Sequence, residues 1–170
     1  MIDSTAAILL VEDNDDDEFL MKRALAAAGV TNPLRIVRDG EEAVQYLGGE
    51  AAFRDRGAFP LPQLVFLDLK LPLRSGLEVL EWIRGRSAFD SLIVVVLTSS
   101  AEPADMRRAY QLGANSYLVK PLTTEQLKNL ALALEWEWAG AGAPGQAGGG
   151  PAPQALAEAL RAPRAAFSPS

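Results

Sequence analysis

The sequence predicts an α/β domain in which helices cover both faces of a parallel β-sheet. Five short apolar segments alternate with longer segments whose apolar residues recur at helical spacing. The apolar segments are nearly continuous, which is typical of strands buried on both faces. With right-handed crossovers, this alternation predicts a doubly wound, five-stranded parallel sheet.

The strands are predicted at residues 7–11, 34–37, 64–68, 92–97 and 116–119. The helices are predicted to begin near residues 15, 39, 75, 103 and 123. Asp15 is the expected N-terminal cap of the first helix, and Gly29 is its expected end. Residues 48–62 are rich in Gly and Pro and predict a loop that is longer than the usual connection, a property that functional loops often have. The whole pattern is flavodoxin-like.

The domain is predicted to span residues 1–138, with its last helix running through Leu134 and toward Trp138. Residues 139–153 are almost entirely Gly, Ala and Pro, which predicts a flexible linker. Residues 154–170 are predicted as a mostly disordered tail, in which only 154–162 fits a short helix.

Composition excludes several kinds of chemistry. The chain has no Cys and no His, so disulfides, thiol catalysis and His-based catalysis are ruled out. The net charge is −6 and there is no basic tract, which argues against a nucleic-acid partner. No apolar run reaches the roughly 18 residues of a membrane span, and the N-terminus does not fit a signal peptide. We therefore expect a cytoplasmic protein without a membrane partner.

Polar residues follow the ends of four predicted strands. Glu12 and Asp13 follow the first strand, Asp68 ends the third, Thr98 ends the fourth and Lys120 ends the fifth. Ligands bind at this edge in open α/β sheets. Clustered carboxylates need a neutralising charge, and Mg²⁺ prefers oxygen ligands. A nucleophilic carboxylate beside a cation, an ammonium and a hydroxyl predicts a site that accepts a phosphoryl group on Asp68.

Each of these residues also has a simpler interpretation. The acidic run from Glu12 to Glu18 alone would usually be a solvated turn. Asp68 alone fits a strand-end cap, and Thr98 and Lys120 alone fit ordinary surface residues. The functional interpretation depends on all of them arriving at the ends of different strands.

These motifs resemble the receiver domains of two-component response regulators over about residues 8–134. The matching segments are Ile8 to Asn14, Leu67 to Pro72 with Gly76, Val96 to Ser99, Gly113-Ala114 and Tyr117 to Pro121. The resemblance implies that Asp68 is the phosphoacceptor and that it receives the phosphoryl group from a phosphohistidine on a sensor histidine kinase. It also implies that Glu12, Asp13, Asp68 and the backbone carbonyl of Lys70 bind Mg²⁺.

The same resemblance assigns roles to the remaining site residues. Lys120 pairs with the aspartate and then with the phosphoryl oxygens, while Thr98 hydrogen-bonds the phosphoryl group. Tyr117 matches the switch aromatic that turns inward as the threonine moves, although a half-buried strand tyrosine would look the same. Lys70 and Ser100 occupy positions that tune the lifetime of the phosphoryl group.

The layout is similar to the small stand-alone receivers that work with bacterial phytochrome kinases. Those relatives dimerise through the fourth helix, fifth strand and fifth helix, so a homodimer is expected. Trp136 and Trp138 fit either such a contact or plain packing of the helix end.

Two other functions compete with this interpretation. A haloacid-dehalogenase-type phosphatase needs a second acid two residues after its nucleophile, and that position holds Lys70. A receiver-like adaptor that is never phosphorylated would have no need of the complete set of acids, Thr and Lys. We therefore expect a phosphoacceptor signalling protein rather than an enzyme acting on a separate substrate.

Overall fold

The computed structural model describes residues 2–136. Its strands are β1 (Ala7–Val11), β2 (Leu34–Val37), β3 (Pro62–Leu67), β4 (Ile93–Thr98) and β5 (Ser116–Val119). Its α-helices are α1 (Asp15–Ala28), α2 (Gly40–Gly48), α3 (Gly76–Arg84), α4 (Pro103–Gln111) and α5 (Thr124–Ala133). Short 3₁₀ turns lie at Ala51–Phe53 and Ser87–Phe89. None of the helices in this part of the chain is long and apolar enough to cross a membrane.

The five strands form one parallel sheet in the order β2-β1-β3-β4-β5. This confirms the predicted fold class. Successive strand residues point to opposite faces, so Leu10 and Phe66 pack with α1 and α5, while Leu9 and Val65 pack with α2, α3 and α4. The sheet is therefore buried on both sides, which explains why its strands read as continuous apolar runs.

The helix ends follow from local capping. Asn14, rather than the predicted Asp15, caps α1, because its side chain accepts a hydrogen bond from the backbone N–H of Asp17. Gly29 ends α1 with φ of 78°, a left-handed conformation that glycine adopts without strain. Thr123 caps the start of α5, near the predicted residue 123, and forms a capping box with Gln126.

The segment between α2 and β3 is a packed structure. Phe53 and Phe59 pack against Tyr46 of α2 in a tilted and an edge-to-face arrangement, with ring centroids 5.1 Å and 6.1 Å from the tyrosine ring. The Arg56 guanidinium donates hydrogen bonds to the carbonyls of Tyr46 and Leu47, at 2.7 Å and 2.8 Å. Arg56 thereby satisfies carbonyls at the end of α2 that have no partner within the helix. The segment was predicted only as a loop, because contacts of this kind leave no periodic pattern.

Leu134 is the C-terminal cap of α5 and still donates its backbone N–H to the Leu130 carbonyl at 2.9 Å, but the chain leaves the helical path at Glu135, so α5 does not continue toward Trp138 as predicted. Glu135 has a φ of 51°, and Trp136 forms a bridge with Ile2. The Trp136 side chain is only 2% exposed and its indole N–H donates to Asn32 Oδ1 at 3.0 Å. Burial of the large indole accounts for the reversal. Trp136 therefore packs within the domain and is not exposed for a dimer contact.

Trp138, the predicted linker at 139–153 and the predicted tail at 154–170 lie outside the described residues.

Candidate functional site

The parallel register brings four strand ends to one edge of the sheet. Val11 is aligned with Leu67, and the residues that follow them are Glu12 and Asp68. The backbone N–H of Asp68 donates to the carbonyl of Val11 at 3.2 Å, which joins the two strand ends. On the other side of β3, Thr98 ends β4. The sheet thus places residues that are far apart in sequence around one site, as predicted.

Lys120 is held at this edge by β4. Its backbone N–H donates to the carbonyl of Thr98 at 2.8 Å, one residue beyond the aligned pair of Thr98 and Val119. The lysine side chain is 10% exposed, so its ammonium lies largely within the site.

Three carboxylates lie together at the same edge. Glu12, Asp13 and Asp68 each present an oxygen, and these oxygens lie within 4.8 Å of one another. Glu12 and Asp68 are buried, at 2% and 7% exposure, whereas Asp13 is exposed. Burial raises the pKa of the Glu12 carboxyl, and its hydrogen bond from Lys120 opposes the shift. The set offers only hard oxygen donors, and Asp13 is exposed to solvent, which fits Mg²⁺.

The Lys120 ammonium lies among these acids. Its Nζ donates to Asp68 Oδ2 at 3.0 Å, to Asp17 Oδ2 at 2.9 Å and to Glu12 Oε2. Burial alone would lower the pKa of Lys120, but the hydrogen bonds to Glu12, Asp17 and Asp68 outweigh it and raise the pKa above its usual value. Lys120 is therefore charged, and it compensates part of the acidic cluster.

The loop after β4 connects the site to Tyr117. Thr98 is fully buried, and its Oγ1 accepts a long hydrogen bond of 3.4 Å from the backbone N–H of Ser100. The Tyr117 hydroxyl donates to the carbonyl of Ser100 at 2.8 Å, so the ring points inward and is 6% exposed. Burial raises the pKa of Tyr117. The Ser100 hydroxyl donates to Asp105 at 2.6 Å, which anchors the loop to α4.

The backbone beyond β3 packs tightly against α3. A Cβ added to Gly76 would lie 2.0 Å from the carbonyl oxygen of Asp68, so only glycine fits there. The Gly76 N–H donates to the carbonyl of Leu69 at 2.9 Å. Lys70 is exposed and its backbone N–H donates to Asp68 Oδ1 at 3.3 Å, next to the acidic cluster. These contacts hold the segment that carries Asp68.

The sequence interpretation missed two residues near this site. Asp17 was grouped with the acidic run, yet it is one of the three hydrogen-bonding partners of Lys120. Its position in the first turn of α1, soon after β1, is visible in the sequence, but its contact with Lys120 depends on how α1 packs against the sheet. Asp105 was not noticed either, because nothing in its local sequence links it to Ser100.

Residues 8–132 match the family of the response regulator receiver domain. The chain belongs to this family. The match covers well over half of the chain, so it confirms the resemblance inferred from the motifs. The protein is a receiver-domain response regulator, a signalling protein.

Individual relatives agree with this assignment. The probable methanogenesis regulatory protein FilR2 of Methanothrix harundinacea is 44% identical over 121 residues, which make up 71% of this chain and 76% of that protein. The solved bacteriophytochrome response regulator AtBRR is 40% identical, with a TM-score of 0.71 over 79% of this chain and 96% of that one. The Mn²⁺-bound form of response regulator Rcp1 is 34% identical, with a TM-score of 0.64 over 76% of this chain and 91% of that one.

Proposed function

We propose that Asp68 accepts a phosphoryl group from a phosphohistidine on a partner sensor histidine kinase. The observation that carries this proposal is the placement of the Asp68 carboxylate 3.0 Å from the Lys120 ammonium, beside two further carboxylates. An Asp68 oxygen forms a bond to phosphorus, the nitrogen–phosphorus bond of the donor breaks, and its electron pair returns to the imidazole. The 170 residues contain no histidine, and the proposed donor is the phosphohistidine of the partner kinase.

Mg²⁺ is the proposed cation of the site. Glu12, Asp13 and Asp68 would hold it, together with the backbone carbonyl of Lys70, and the clustered oxygens support this. The Mn²⁺-bound form of Rcp1, a relative, agrees with a divalent cation. When bound, the cation would offset negative charge on the phosphoryl oxygens.

The chain's own residues supply the rest of the proposed chemistry. Lys120 would pair with a phosphoryl oxygen, since its ammonium is charged and already adjacent to Asp68. The buried Thr98 hydroxyl would donate to another phosphoryl oxygen and thereby leave its present place in the β4 loop. Tyr117 would respond to that movement, because its hydroxyl donates a hydrogen bond to the carbonyl of Ser100 in the same loop. Lys70 and Ser100 are the proposed residues that set the phosphoryl lifetime.

Small-molecule phosphorylation tests this function. We expect the wild-type protein to gain the mass of one phosphoryl group from acetyl phosphate with Mg²⁺, and chelation of the cation to abolish the gain. Asp68→Asn should gain no phosphoryl group. Asp90→Asn, which replaces an exposed aspartate before the start of β4, should be phosphorylated like the wild type. An unreactive wild type would favour the adaptor alternative, and equal labelling of Asp68→Asn would exclude Asp68 as acceptor.

A bacterial phytochrome is the proposed class of partner kinase, on the strength of the likeness to AtBRR. The proposal places the protein in the cytoplasm, where such a kinase domain would meet it. Phosphotransfer from purified kinases tests the pairing. Transfer from a phytochrome kinase should be much faster than transfer from an unrelated histidine kinase, and equal rates would contradict the pairing.

A homodimer through α4, β5 and α5 is also part of the proposal. β5 is an edge strand, and the helices on either side of it expose Met106, Tyr110 and Leu132, each between 37% and 39% exposed. Apolar surface of this kind supports a protein contact. Light scattering after size exclusion should give a dimer that Leu132→Arg weakens, while Leu61→Arg, at an exposed position before β3, should not. A monomer with and without phosphorylation would end this part of the proposal.

A further inference from the structure

Asp17 contacts the proposed phosphorylation site without belonging to its carboxylate cluster. An ammonium group has three N–H donors, and Lys120 directs its Nζ at three carboxylates, those of Glu12, Asp17 and Asp68. Asp17 comes from the first turn of α1, whereas the other two follow strands of the sheet. Its carboxylate is not among the three that lie within reach of one cation.

The three partners of Lys120 have different tasks in the proposed reaction. Glu12 and Asp68 are proposed cation ligands, and Asp68 also forms the new bond to phosphorus. Asp17 has neither task, so it is the partner that remains available to Lys120 throughout. Its side chain is 32% exposed, whereas those of Glu12 and Asp68 are 3% and 9% exposed.

We infer that Asp17 is a positioning residue for Lys120. By accepting one N–H at 2.9 Å, Asp17 holds the ammonium between α1 and β5 and limits its pairing with Glu12 and Asp68. Without Asp17, Lys120 would pair only with the two acids that the reaction needs. The ammonium would then compete for them and would be less well placed for the phosphoryl group.

This inference rests on the proposed function and is tested by a matched pair of variants. Asp16 lies beside Asp17 in the same turn of α1, is exposed, and forms no ion pair within the described residues. Asp17→Asn and Asp16→Asn remove the same charge from the same helix end, so the general effect on the helix dipole is shared. Only Asp17→Asn also removes one of the three carboxylates that pair with Lys120.

The measurement is the rate constant for phosphorylation by acetyl phosphate at saturating Mg²⁺. We expect Asp17→Asn to lower it on the order of tenfold, which is within the loss that misplacement of a reacting group causes. Asp16→Asn should change it by less than about twofold, and Asp17→Glu should recover part of the loss. Equal rates for Asp17→Asn and Asp16→Asn would overturn the inference.

A double-mutant cycle separates positioning from a general structural effect. In a Lys120→Gln background, Asp17→Asn should have almost no further effect on the phosphorylation rate, because its partner is gone. The same tenfold loss in both backgrounds would show that Asp17 does not act through Lys120. A wild type that gains no phosphoryl group would instead refute the proposed function itself.

Discussion

Replacement of Gly76 by alanine tests how rigidly the fold holds Asp68. The added Cβ would lie 2.0 Å from the carbonyl oxygen of Asp68 and 2.7 Å from the Cα of Leu69. Both atoms belong to the backbone, so no side-chain rotation relieves the contact. Ordinary contact begins at 3.4 Å, so the new Cβ and the Asp68 oxygen, 2.0 Å apart, would have to move apart by about 1.4 Å. Overpacking of this kind costs about 1–3 kcal/mol or more, and alanine's better helix propensity recovers at most about 1 kcal/mol.

We therefore expect Gly76→Ala to lower the free energy of unfolding by about 2 kcal/mol in urea denaturation. The phosphorylation rate should also fall, because the clash displaces the backbone of the proposed phosphoacceptor. The control is Gly85→Ala, where the new Cβ would meet its nearest atom at an ordinary 3.4 Å and φ is −75°. Its effect should stay within about 0.5 kcal/mol. If the two variants unfold and react alike, the close approach of α3 does not hold Asp68.

Three further predictions concern the core, the α2–β3 segment and the cation. Trp136→Ala should lower the free energy of unfolding by about 3–5 kcal/mol. Trp136→Phe should lower it by about 1–3 kcal/mol, because Asn32 Oδ1 loses its hydrogen-bond donor. A urea midpoint that depends on protein concentration would indicate a dimer contact instead. Arg56→Met should lower the free energy of unfolding by about 1–3 kcal/mol, because two carbonyls at the end of α2 lose their hydrogen bonds. Arg54→Met, at an exposed position, should lower it by less than about 0.5 kcal/mol. Equal effects on unfolding would contradict the capping role of Arg56. Asp13→Asn should weaken Mg²⁺ binding, measured by calorimetry, on the order of tenfold because the amide oxygen that replaces the carboxylate carries no negative charge; unchanged affinity would remove Asp13 from the proposed site.

Much of the site was predictable because the carboxyl ends of parallel strands lie at the same edge of a sheet. Glu12, Asp68, Thr98 and Lys120 each follow an apolar run that reads as a strand, and the sheet order places those runs side by side. A pattern that is local to each strand was therefore sufficient. The contact between Asp17 and Lys120 was not predictable in this way, since it depends on the angle at which α1 leaves β1.

The sequence by itself determined the alternation of strands and helices, the capping of α5 and the identity of the residues at the strand ends. These features depend on hydrophobic periodicity and on short-range hydrogen bonds, which a sequence displays directly. Tertiary structure alone decided that Trp136 turns back onto Ile2, that Arg56 completes α2, and that Lys120 has a third acidic partner in Asp17. Each of these contacts joins residues of different elements, and its geometry exists only after the helices have packed on the sheet.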